Sequence, residues 1–121
     1  MNRRRGFTLI ELVMVIVILA ILAIVAIPKY FDLQSDAQSA AEKGVVGGVR
    51  SGVYSYYAQY KTFPAALDNA TVAACTSTNP CFTNVLGQGG LYPDWTKSSS
   101  NTYVGPTNTT YTYTAGTGEF N

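Results

Sequence analysis

The sequence predicts an α+β fold, with one long N-terminal helix whose C-terminal half packs on a small antiparallel β-sheet. Three observations carry this prediction. Leu12 to Ile27 is an unbroken apolar run. From Gln38 to Lys61 small and apolar residues recur at helical spacing, and Val45, Val49 and Val53 form a stripe four residues apart. Beyond Pro64, Tyr103-Val104 and Tyr111-Thr112-Tyr113-Thr114 alternate as half-buried strands do, Ala115-Gly116-Thr117-Gly118 reads as a turn, and Glu119-Phe120 begins a last short strand.

The first element, residues 7–27, is a hydrophobic segment long enough to cross a bilayer, which takes about 20 apolar residues. Arg3, Arg4 and Arg5 precede it and would stay on the cytoplasmic side. Removing these three cations takes the formal net charge from +1 to −2. A secretory signal fits poorly, because its apolar stretch is about 7–15 residues and ends in a small-x-small site. Val25-Ala26-Ile27 is a poor site of that kind. A plain signal anchor explains the length but not Glu11, since a carboxylate in a spanning helix costs about 2.5–3.5 kcal/mol, less near the interface. Glu11 therefore points to a partner cation.

Residues 28–62 form an exposed amphipathic helix half. Pro28 lacks an N–H and is expected to kink or locally melt the helix between Ala23 and Ile27. Asp32 and Asp36, with Lys29 nearby, read as a solvated face. Ala40, Gly44, Gly48 and Gly52 recur every four residues and make a smooth ridge. The chain's own sheet is its expected neighbour, with another subunit's helix as the alternative. Glycines cost a helix roughly 1 kcal/mol each, so this stretch is expected to fray or bend. Tyr54, Tyr56, Tyr57 and Tyr60 read as a packing surface with wet hydroxyls, rather than a carbohydrate platform or an electron path. Phe63-Pro64 ends the helix.

Residues 63–121 form a head of loop and small sheet. Ala65 to Gln88 is loop-rich and carries Cys75 and Cys81, which in an exported domain are expected to form a disulfide, two reduced thiols being the alternative. Gly87, Gly89 and Gly90 mark a turn before Leu91-Tyr92-Pro93-Asp94-Trp95. Asn69-Ala70-Thr71 and Asn108-Thr109-Thr110 are chance sequons, and Ser98-Ser99-Ser100 is a stretch able to carry O-linked sugar.

Composition narrows the function classes. The chain has 121 residues and no His, which removes His-based acid–base chemistry and most zinc sites. Lys61 and Lys97 are the head's bases, too few for a nucleic-acid footprint. Asp94 and Glu119 are scattered acids in its C-terminal loops. No catalytic site, cofactor or metal is expected.

The segment Arg5-Gly6-Phe7-Thr8-Leu9-Ile10-Glu11-Leu12 resembles the signature of type IV pilins and type II secretion pseudopilins. The likeness is strong over residues 1–30, fair in layout to about residue 64, and weak thereafter. It implies that residues 1–6 are a leader. A prepilin peptidase and methyltransferase would cut between Gly6 and Phe7 and methylate the new amine of Phe7, leaving 115 of the 121 residues. It implies that Glu11 pairs with the N-terminal amine of a neighbouring subunit, and that Pro28 is the family's helix-breaking proline. Phe7 and Glu11 are four residues apart, so the two groups lie about one turn apart on one helix face. The implied product is a helical homopolymer, anchored in the bacterial inner membrane as a precursor and assembled by a platform and motor into an extracellular pilus filament. The alternatives are a pseudopilin in a periplasmic pseudopilus, a minor pilin acting as adhesin or DNA receptor, and an anchored enzyme.

Overall fold

A computed structural model describes residues 6–87, 89–90 and 93–121. Helix α1 spans Leu9–Tyr60 and is followed by four strands: β1 (Thr96–Ser99), β2 (Thr102–Val104), β3 (Thr110–Thr114) and β4 (Glu119–Phe120). The chain divides into two compact units, one running to Asp36 and one from Ala37 to Asn121.

In the N-terminal unit the apolar side chains of α1 are exposed among the described residues. Ile10, Ile24 and Leu33 are 69%, 73% and 61% exposed, and the stretch is long and apolar enough to cross a membrane. Pro28 lies inside the helix. The melting expected between Ala23 and Ile27 does not occur, and every residue there is helical. Proline withholds a single donor, and the helix runs unbroken on both sides of it.

In the head unit, Glu42, Val46, Val49 and Val53 form the buried stripe of α1, with Val45 half-buried beside it. The glycine-rich stretch stays helical rather than fraying, because these interleaved residues dock on the head's core, and tertiary packing outweighs propensity. The ridge meets a different neighbour from the one expected. A side chain at Gly52 would collide with the backbone of Val85, and one at Gly48 would touch Leu86. The turn at Phe82–Leu86, not the sheet, therefore sits against the ridge, while Gly44 and Gly47 face open space. The helix stops at Tyr60, where Lys61 takes a left-handed conformation (φ 61) and donates its N–H to the Tyr57 carbonyl at 2.7 Å, a C-cap usually left to glycine.

The strands form one antiparallel sheet in the order β1-β2-β3-β4. Strand β1 was not expected from its Ser- and Thr-rich sequence, and Ser98 and Ser99 lie in it, exposed. Lys97, Tyr103, Tyr113 and Phe120 point inward from the four strands. Phe82 sits at the centre of the core, with ring centroids 4.5 Å from Tyr103, 5.4 Å from Trp95 and 5.8 Å from Phe120. Cys75 and Cys81 are both buried and joined by a disulfide, with Cα atoms 5.5 Å apart. Their loop runs beside β1, with Cys75 N–H donating to the Trp95 carbonyl at 2.8 Å and Lys97 N–H to the Ala73 carbonyl at 2.9 Å.

Candidate functional site

The N-terminal segment begins outside the helix. Gly6, Phe7 and Thr8 are non-helical and exposed. Phe7 is 86% exposed, and among the described residues nothing lies within 4 Å of where a Gly6 side chain would stand. Thr8 caps the helix. Its Oγ1 accepts the Glu11 N–H at 3.3 Å, while Glu11 Oε2 accepts the Thr8 N–H at 3.3 Å. This reciprocal pair is a capping box, which satisfies two orphan donors at a helix start. Thr8-Leu9-Ile10-Glu11 carries the Thr-x-x-Glu spacing that marks such a box in a sequence, a signal that the burial cost of a charge does not reveal. The carboxylate thus already serves the chain's own backbone, one residue from Phe7, besides being available to a cation. Its position also suits the positive end of the helix dipole.

Farther along, Asp32 and Asp36 stay exposed. Among the described residues no group of three or more His, Cys, Asp and Glu side chains is placed to hold a metal ion. The tyrosine cluster is wetter than expected, with Tyr54 and Tyr60 60% and 56% exposed. Tyr57 stacks on Phe63 at 4.6 Å and Tyr56 leans on Tyr60 at 4.5 Å.

Two buried carboxylates organise the head, and composition alone had passed over both. Glu42 leaves α1 to bind the loop between β2 and β3. Its Oε2 accepts Thr107 N–H at 2.8 Å and Thr107 Oγ1–H at 2.6 Å, and its Oε1 accepts the Tyr111 hydroxyl at 2.7 Å. Gly105 passes so close that any side chain there would strike the Glu42 carboxylate. Burial pushes the Glu42 carboxyl up, but the bonds from Thr107 and Tyr111 outweigh it and hold the group below its ordinary value. Tyr111 is raised in turn by burial and by its bond to Glu42.

Asp68 is the second. It was missed because it sits between an apolar run and a turn, where an isolated Asp reads as a loop residue. It pairs with Lys97, so one of the lysines counted among the head's bases is buried. Asp68 Oδ2 accepts Phe82 N–H and the Tyr103 hydroxyl, both at 2.8 Å, and Oδ1 accepts Ala70 N–H at 3.0 Å. Phe82 is held at φ 62, a left-handed conformation that a bulky residue adopts only under constraint. Burial and the bond to Asp68 push the Tyr103 phenol far above its ordinary value.

Comparison with known proteins bears on the N-terminal segment first. Residues 1–27 match the prokaryotic N-terminal methylation motif. The chain is 37% identical over 81 residues to the fimbrial protein EcpC of Eikenella corrodens, a match covering 67% of this chain and 52% of that protein. It thus spans about half the length of that curated relative. No solved structure matches the chain. The methylation motif, the exposed apolar helix that follows it, the small sheet-bearing head and the fimbrial relative together support assignment of this chain to the type IV pilin family.

Proposed function

We propose that the chain is a structural subunit of a type IV pilus-like extracellular filament, made as a membrane-anchored precursor. A prepilin peptidase cuts between Gly6 and Phe7, and the amine of Phe7 is methylated. The subunit then leaves the inner membrane for a helical homopolymer through an assembly platform and motor. Its role is mechanical rather than catalytic.

One observation carries the reading. The Gly6–Phe7 junction is exposed and non-helical, and it leads directly into a capped apolar helix with no cover of its own. A helix start of this kind gives a peptidase an open peptide bond to cut. It then gives the new amine a carboxylate one turn away. In low dielectric an unpaired carboxylate is costly, so neutralising Glu11 sets the axial register of each incoming subunit. The apolar side chains that lipid surrounds in the precursor become the packed interior of the filament.

The test is electron microscopy of cells carrying Glu11→Val in place of the native chain. Cleaved, membrane-inserted subunits with few or no surface filaments are expected. Filaments of normal number and length would refute the pairing. Loss of surface filaments on deleting the chain is expected as well; filaments that persist unchanged would refute the subunit role.

A further inference from the structure

The buried pair Asp68–Lys97 has no part in subunit assembly as described above, and its surroundings suit chemistry between the two side chains. They are 0% and 5% exposed, and Lys97 Nζ donates to Asp68 Oδ1. An ammonium carries three N–H donors. Among the described residues, Lys97 Nζ has Asp68 as its hydrogen-bond acceptor and otherwise faces the Tyr103 ring, 5.6 Å from its centroid. A buried ammonium so sparsely matched is a costly species. An amide nitrogen in its place would carry one N–H and no charge. The far oxygen, Oδ2, lies under two donors, the Phe82 N–H and the Tyr103 hydroxyl, each at 2.8 Å. That is the arrangement which stabilises negative charge developing on a carbonyl oxygen under nucleophilic attack.

We propose that Lys97 and Asp68 condense within the folded head to a side-chain amide. Nζ passes one proton along the hydrogen bond to Oδ1, and the neutral amine adds its lone pair to Cγ. The charge collects on Oδ2 beneath Tyr103 and Phe82. A second proton moves from Nζ to Oδ1, the Cγ–Oδ1 bond breaks, and Oδ1 leaves as water. Nζ retains its third hydrogen as the amide N–H. The balance is one ammonium and one carboxylate giving one amide and one water, with no oxidant or cofactor. Two buried charges vanish, and the water is lost from a site closed to solvent. The resulting bond ties the loop at Asp68 to β1 beside the disulfide loop, since Lys97 N–H bonds Ala73 and Asp68 accepts the N–H of Phe82, next to Cys81.

The test uses the full chain, purified from membranes in detergent, then denatured, reduced and digested with trypsin. Apart from Lys97 itself, no Lys or Arg follows Lys61, so residues 62–121 report on this site independently of N-terminal processing. A single fragment, uncut after Lys97 and lighter by one water than its composition requires, is expected. Two peptides of full mass, 62–97 and 98–121, would overturn the proposal and leave an ion pair only. Lys97→Arg should restore full mass and cleavage after residue 97; water loss persisting in that variant would equally overturn it. Tyr103→Phe keeps the ring but removes a donor, and should slow condensation roughly a hundredfold, read as the uncondensed fraction in pulse-labelled chains. An unchanged time course would refute the assignment of Tyr103.

Discussion

Replacing Glu42 tests how the head is fastened to α1. The carboxylate takes three hydrogen bonds within 2.6–2.8 Å, two from Thr107 and one from Tyr111. Hydrogen bonds to charged groups contribute about 1.5–3 kcal/mol each, but bonds sharing one carboxylate do not add. Glu42→Ala leaves the Thr107 N–H and the Tyr111 hydroxyl without their acceptor, so a loss of about 2–4 kcal/mol is expected. For a domain of this size that lowers Tm by about 10–20 °C. Glu42→Gln keeps the shape and one acceptor but turns a donor towards Thr107 or Tyr111, and should lose about half as much. The sign with pH follows from the lowered carboxyl. A group depressed in the folded state adds stability above its unfolded value, near 4.5, and that stability fades as pH falls through the folded value. Unfolding of the detergent-solubilised chain, followed by circular dichroism between about pH 7 and pH 3, should show wild type and Glu42→Gln converging on the acid side. A gap that stays constant to the lowest pH, or a Glu42→Ala variant as stable as wild type, would refute the reasoning.

Gly6→Leu should block processing, and an anti-pilin immunoblot should show only the longer precursor; a mature-length band would move the cut elsewhere. Gly52→Leu should push the Val85 turn off α1 and cost about 1–3 kcal/mol in denaturant unfolding, as overpacking does, whereas Gly47→Ala, which meets nothing, should be neutral or slightly stabilising. Cys75→Ser opens a loop of sequence separation 6 and should cost about 2 kcal/mol by loop-closure entropy, with a matching fall in the denaturant midpoint.

The N-terminal segment was legible because its constraints are local. An apolar run, a glycine before an aromatic residue, and a carboxylate in an otherwise uncharged stretch are all visible without knowing the fold. The cysteine pair was legible for the same reason, since six residues hold the two side chains near one another. The helix length was legible too, although propensity alone overstated the damage from Pro28 and the glycines. The two carboxylates that organise the head were not. Glu42 and Thr107 are 65 residues apart, and Asp68 and Lys97 are 29 apart, so neither pairing leaves a trace in spacing. Strand β1 was hidden likewise. Thr96-Lys97-Ser98-Ser99 carries weak strand propensity, and what makes it a strand is the partner on each side.

The disulfide loop laid along β1 has a consequence for a crowded surface. A strand edge left bare offers its backbone groups to any neighbouring chain and seeds runaway sheet growth. Here Ala73 and Cys75 occupy that edge, while β4 at the other side is only two residues long. Heads packed shoulder to shoulder at high local concentration would find little backbone to add a strand to. They could crowd without fusing into amyloid-like sheets.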